Sequence, residues 1–169
     1  MGRTMIGIIN FSGLYDWGKL HKTILGWIKD HKYDTDDRKY EYAVKQFGEE
    51  IEWSIFGTRK LNEYAKYGIN VELKIKDQTQ VEVVEEGNKK KMDKGRIEIK
   101  VFADFDLDYA KMFKKTKGMQ KIGKFLNNHI FGGGLKDAGI WEGDLYYEVY
   151  RLFLDIKKNL NMETAYSAY

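Results

Sequence analysis

The side chains able to do chemistry in this chain are few and widely scattered. Its only histidines are His21, His31 and His129, its only serines are Ser12, Ser54 and Ser167, and it has no cysteine. Disulfides, thiolate metal sites and a cysteine nucleophile are therefore excluded together. No serine sits in a nucleophile-elbow pattern, and no Asp or Glu is spaced around a histidine as a zinc ligand would be. Asp104, Asp106 and Asp108 alternate, so on a strand all three carboxylates project from one face about 7 Å apart. Such a row suits Mg²⁺ or Ca²⁺ if a neighbouring strand adds oxygens. The simpler expectation is a solvated acidic face balanced by cross-strand lysines, or two of the three bracketing a turn. Gly132, Gly133 and Gly134 offer backbone N–H groups to a phosphate, but without the preceding strand and Lys-Ser/Thr pair of a P-loop they read as a helix stop and hinge. No catalytic residue, metal site or cofactor is expected.

Charge is more informative. From Tyr109 to Lys136 the chain has no acid, while Lys111, Lys114, Lys115, Lys117, Lys121 and Lys124 precede Lys136. The whole chain carries only +3, so without this segment it is net acidic. A cationic helix with an apolar stripe can approach nucleic-acid phosphates or lie on a peripheral anionic membrane surface. The bland alternative is a core-facing helix whose lysines are its solvated side. The segment contains no arginine, which argues against specific base readout.

Aromatic residues define two further candidates. Trp17, Trp27, Tyr40, Tyr42, Trp53 and Trp141 would line a ligand pocket between sheet and helices, or simply fill the core. Phe47, Phe56 and Phe102 have the parity of charged residues and would put apolar rings on the wet face of a sheet. Base stacking, burial under a loop, a parity-changing bulge and a homo-oligomer contact all account for that, and the sequence around Phe102 lacks the RNP1 pattern.

The elements that must position these groups are legible from periodicity. Ile69, Val71, Leu73, Ile75, Val81, Val83, Ile97, Ile99, Val101, Phe105 and Leu107 are all odd-numbered, with Glu72, Lys74, Lys76, Glu98, Lys100 and Asp104 on the other face. Such alternation marks antiparallel strands with one face on a core. Strands are expected at residues 4–11, 39–47, 50–60, 67–76, 79–86 and 95–108, with Gly48 and the pair Asp77-Gln78 as breaks and Asp34, Asp36 and Asp37 in a turn. Tyr40, Tyr42, Val44, Ile51, Trp53 and Ile55 are expected to continue the buried face. Helical spacing appears over residues 15–32, through Trp17, Leu20, Ile24, Trp27 and Ile28. It returns at Met119, Ile122, Phe125, Leu126, His129 and Ile130, and again over residues 141–161.

The expectation is one α+β domain over residues 1–169 with a mobile tail at 164–169: a two-layer sandwich of a one-sided antiparallel sheet, about five to six strands, packed by an N-terminal helix and two C-terminal helices. The element order is loosely similar to the helix-grip or START-like fold. Segments such as Gln80-Val81-Glu82-Val83-Val84, Lys94-Gly95-Arg96-Ile97-Glu98-Ile99 and Leu145-Tyr146-Tyr147-Glu148-Val149-Tyr150, with Met162-Glu163-Thr164, resemble an uncharacterised family of small archaeal proteins. That resemblance implies an archaeal, intracellular origin and transfers no functional residue.

Composition sets the remaining bounds. At 169 residues the chain can bury roughly 70% of its unfolded surface, enough for a core without a staple. Four Trp, nine Phe and twelve Tyr make it globular despite a third of its residues being charged. There is no proline, so turns rest on Gly, Asn and Asp. No segment has the length of a signal-peptide core or a membrane span, so a soluble, cytoplasmic protein is expected. The function expected is a non-catalytic binding or assembly protein, with a helix-grip carrier of a small hydrophobic ligand as the alternative.

Overall fold

The computed structural model describes residues 2–61, 65–85, 88–107 and 135–162. They form β1 (Gly2–Tyr15), α1 (Trp17–Asp30), β2 (Asp34–Lys45), β3 (Gly48–Lys60), β4 (Ala65–Glu85), β5 (Asn88–Leu107) and α2 (Leu135–Asn159). The five strands make one sheet in the order β1-β5-β4-β3-β2. Every neighbouring pair is antiparallel. The class is α+β, as the alternation predicts.

The core lies on one face of that sheet. Ile51, Trp53 and Ile55 of β3, Ile69, Val71, Leu73 and Ile75 of β4, and Ile97, Ile99, Val101 and Phe105 of β5 are all buried. Leu20, Ile24, Trp27 and Ile28 of α1 and Leu145, Val149, Leu152, Phe153 and Ile156 of α2 join the same cluster. In α1 the period of about 3.6 puts these four residues on one stripe. Its first turn is capped by the Asp16 carboxylate, which accepts from the Lys19 N–H at 2.9 Å. Both helices end without glycine. Lys32 and Asn161 take left-handed φ values of 60° and 53°, and the N–H groups of Tyr33 and Met162 reach back to Ile28 and Lys157 in Schellman closures.

Four expectations change. The two strands expected at 67–76 and 79–86 are one continuous strand, β4, through Glu85, because Asp77 and Gln78 are absorbed as a bulge between the pairs Lys76 with Arg96 and Thr79 with Lys94. Asp77 takes φ 56°, and buried Gln78 accepts the Tyr15 hydroxyl at 3.0 Å, so the extra residue is held inside the ladder. The acidic run from Asp34 to Asp37 is strand, not turn, since it pairs with Thr58 through Ile55. Tyr40, Tyr42 and Val44 do not continue the buried face. They are 60%, 51% and 72% exposed. The last helix begins earlier than its apolar stripe suggests, at Leu135. The expected helix around residues 119–130, the three glycines at 132–134 and the tail at 164–169 lie outside the described residues.

Candidate functional site

The register aligns Ile9, Ile99, Leu73, Trp53 and Tyr40 in one row across all five strands on the helix side. The first four are at most 2% exposed and Tyr40 is 60% exposed. In the next row Ile97, Ile75 and Ile51 are buried and Tyr42 is half exposed. The parity expected of Tyr40 and Tyr42 is therefore present, but the described helices leave these two rings uncovered. Tyr40, Tyr42 and Val44 form an apolar margin along β2, and Phe47, 75% exposed, stands at the β2–β3 turn.

An aromatic group meets this margin from α1. The Trp17 and Trp53 rings contact edge to face at 5.9 Å, and His21 lies 5.2 Å from Trp17 and 4.6 Å from Trp53. The Trp53 indole N–H donates to Asp37 at 3.3 Å, and the Trp17 backbone N–H donates to Asp93 at 3.0 Å. Burial lowers the His21 pKa, with the Asp37 carboxylate acting in the opposite sense. The imidazole is thus neutral at pH 7. A neutral ring, two indoles and exposed tyrosines suit an apolar or aromatic partner better than a charged one.

The sequence-predicted residues separate into groups. Trp17 and Trp53 come together beside Tyr40 and Tyr42. Trp27 does not join them: it stacks on His31 at 3.7 Å, and the His31 Nδ1–H donates to the Trp27 carbonyl at 2.8 Å. The Trp141 side chain and the lysines Lys111, Lys114, Lys115, Lys117, Lys121 and Lys124 lie outside the described residues. Phe56 and Phe102 lie on the face away from the helices, in one row with Asn70 between them. Each is covered by a guanidinium at 3.9 Å, Arg38 over Phe56 and Arg3 over Phe102. Phe47, at the turn, is not part of that row.

Two clusters are assembled only by the fold. Arg59 binds Glu148 through two hydrogen bonds of 2.9 and 2.7 Å, and also donates to the His31 carbonyl at 2.8 Å. Its guanidinium lies over the rings of Tyr33 and Tyr67. Burial, then the Glu148 carboxylate, raises Tyr33 far above the ordinary phenol range; burial, then Asp144 and Glu148, pushes Tyr67 up to about 12. Both phenols stay protonated. This cluster borders an open cavity of about 500 Å³ with Asp144, Tyr147 and Arg151, but its charges are matched and its geometry is that of a clamp fixing α2 to β3.

The second cluster surrounds Asp104. Its side chain is 5% exposed, not solvated as expected, and one carboxylate oxygen has no hydrogen-bond partner. Gly68 lies opposite, where a Cβ would meet the Asp104 Cβ at 2.9 Å and the Phe56 ring at 3.2 Å. The missing side chain is what lets Asp104 and Phe56 close over β4.

Among the described residues no three His, Asp or Glu side chains converge as metal ligands, and no helix is long and apolar enough to cross a membrane. Comparison with protein-family models, curated proteins and solved structures finds no match.

Proposed function

We propose that this chain is a non-catalytic binding or assembly protein whose partner docks along the aromatic margin of β2. The observation that carries this reading is the jump in exposure from Trp53 to Tyr40 within a single cross-strand row. An edge strand presents unpaired backbone groups, and a polypeptide added as a further strand combines main-chain hydrogen bonds with contacts to alternate side chains. Tyr40, Tyr42 and Val44 are those alternate side chains, and Trp17 with His21 supplies a neutral wall beside them. The lysine segment, Lys111 to Lys124, supplies a separate electrostatic contact in this reading. A salt-sensitive affinity for anionic vesicles or RNA tests that contact.

The margin is tested by placing a photo-crosslinking phenylalanine analogue at Tyr42 and, as a control, at Tyr150 on α2, then irradiating in extract of the native host. A discrete adduct confined to position 42 supports the margin. Identical adducts at both positions, or none at either, count against it.

One observation favours the helix-grip carrier as a second reading. β1 lies beside β5, and α2 follows β5 on the same core, an element order similar to helix-grip proteins. In that reading the margin receives a small hydrophobic ligand instead of a strand. Saturable binding of a fatty-acid fluorophore that quenches the tryptophans, abolished by Tyr40→Asp, would select it over the polypeptide partner.

A further inference from the structure

The face of the sheet turned away from the helices carries a groove of about 460 Å³. Its walls are Asn10 and Ser12 of β1, Arg96 and Glu98 of β5, and Lys74 and Lys76 of β4. The register explains why they converge: Ser12, Arg96 and Lys76 form one row, and Asn10, Glu98 and Lys74 form the next. Lys76 and Arg96 are thus directly opposite each other. Like charges in that position destabilise a sheet, and side chains there stand about 5 Å apart at the Cβ atoms.

Neighbouring acids engage two of these three cations, and the Glu98 carboxylate itself stands in the groove wall. Asp77 accepts from the Arg96 Nε at 2.9 Å, Glu98 holds Lys100 at 3.0 Å, and Glu52 is shared between Lys39 and Lys74. Lys76 has no ion pair among the described residues. Lys74 is two residues away on the same face, about 7 Å along the strand, so three cations form a compact triangle. The Ser12 hydroxyl and Asn10 amide add neutral donors. A single carboxylate cannot reach all three corners, whereas two linked phosphates carry enough charge and oxygens to do so. The groove has the volume of an ordinary small-molecule site, so room remains for a group attached to those phosphates.

We infer that this groove binds a small molecule bearing a diphosphate, held by Lys74, Lys76 and Arg96. The site is independent of the β2 margin and lies on the opposite face of the sheet.

Isothermal titration of the full chain at low salt, with inorganic pyrophosphate and adenosine diphosphate as probes, tests the inference. One-to-one binding is expected, with sulfate much weaker. Lys76→Gln should weaken it about tenfold, the effect of losing one charge-assisted contact. Arg96→Gln also breaks the Asp77 pair, so Lys76→Gln, which removes a repulsion and disturbs no pair, is the decisive variant. Lys100→Gln, on the same face outside the groove, should leave affinity unchanged. No saturable binding at millimolar probe would overturn the site. So would equal affinity for sulfate, binding that survives Lys76→Gln but is lost on replacing Lys114 and Lys115, or tighter competing binding of single-stranded RNA through the same residues.

Discussion

Replacing Asp104 by Asn should stabilise the protein at neutral pH, the reverse of the usual result for removing a buried charge. The carboxylate is almost wholly enclosed, and one oxygen has no hydrogen bond. Its nearest cation, the Arg3 Nε at 3.8 Å, belongs to a side chain that is 46% exposed. At that separation the attraction is about 1 kcal/mol in a water-like dielectric and about 4 kcal/mol at an effective dielectric of 20. Exposure of Arg3 keeps it near the lower figure. Leaving a charged group buried without its hydrogen bonds costs about 1–3 kcal/mol or more, so desolvation wins. The raised pKa of Asp104 has the same cause: burial outweighs the opposing fields of Arg3 and Arg38.

The sign of the pH dependence follows. A carboxyl whose folded pKa lies above its unfolded value, about 3.9, holds its proton more tightly when folded. Its contribution is fully favourable below the unfolded pKa and is lost as pH rises through the folded one. Urea denaturation of wild type and Asp104→Asn should therefore give nearly equal stabilities at pH 3. At pH 7 the variant should be more stable by about 1 kcal/mol, a rise of about 2–4 °C in melting temperature for a chain of this size. Loss of more than 1 kcal/mol at pH 7 would mean that the carboxylate is ionised and firmly paired, and would refute this account of the cluster.

The remaining predictions concern what holds the sheet. Val101→Asp places a carboxylate in a fully buried site and should cost more than about 3 kcal/mol, while Lys100→Asp on the open face should cost about 1 kcal/mol; equal losses in urea titrations would show both faces to be covered. Arg59→Met leaves Glu148 without its bidentate partner and should cost about 2 kcal/mol, with Arg59→Lys recovering less than half because an ammonium cannot make the same fork. Gly57→Ala should cost about 1–3 kcal/mol by thermal melting, since its Cβ would lie 2.9 Å from Ile28 and 3.2 Å from Tyr33. Tyr40→Thr should leave the melting temperature nearly unchanged, since its ring is exposed, while removing any partner crosslinked through position 42.

The core face was legible because alternation is a local property: Ile69 through Ile75 and Ile97 through Val101 declare their side of the sheet without reference to a partner. The spacing of Leu20, Ile24, Trp27 and Ile28 did the same for α1. Bulges are different. Whether Asp77 and Gln78 end a strand or sit inside it depends on β5 continuing opposite them and on the Tyr15 hydroxyl that reaches Gln78. Parity likewise assigned Tyr40 to the correct face but could not say that the described helices leave its ring uncovered. Asp104 looked solvated because its enclosure comes from Phe56, Gly68 and Arg3 on three other strands. The Arg59–Glu148 clamp joins groups 89 positions apart, beyond the reach of any periodicity.

The charged side chains that remain free narrow the choice of partner. Arg3 is paired with Glu72, Lys39 and Lys74 share Glu52, Arg96 meets Asp77, Lys100 meets Glu98, and Arg59 meets Glu148. Exposed pairs of this kind add little stability, but they cancel local fields where they form. Two surfaces differ in character from these pairs: the groove around Lys76, which has no ion pair among the described residues, and the aromatic margin of β2. These sit on opposite faces of one sheet, so neither ligand can obstruct the other directly. Coupling between them would have to pass through the backbone of β3 and β4, where the closely packed row from Ile9 to Trp53 resists displacement. The two surfaces are therefore expected to bind independently, and a diphosphate affinity unaltered by Tyr40→Thr would separate a two-site adaptor from a single cooperative site.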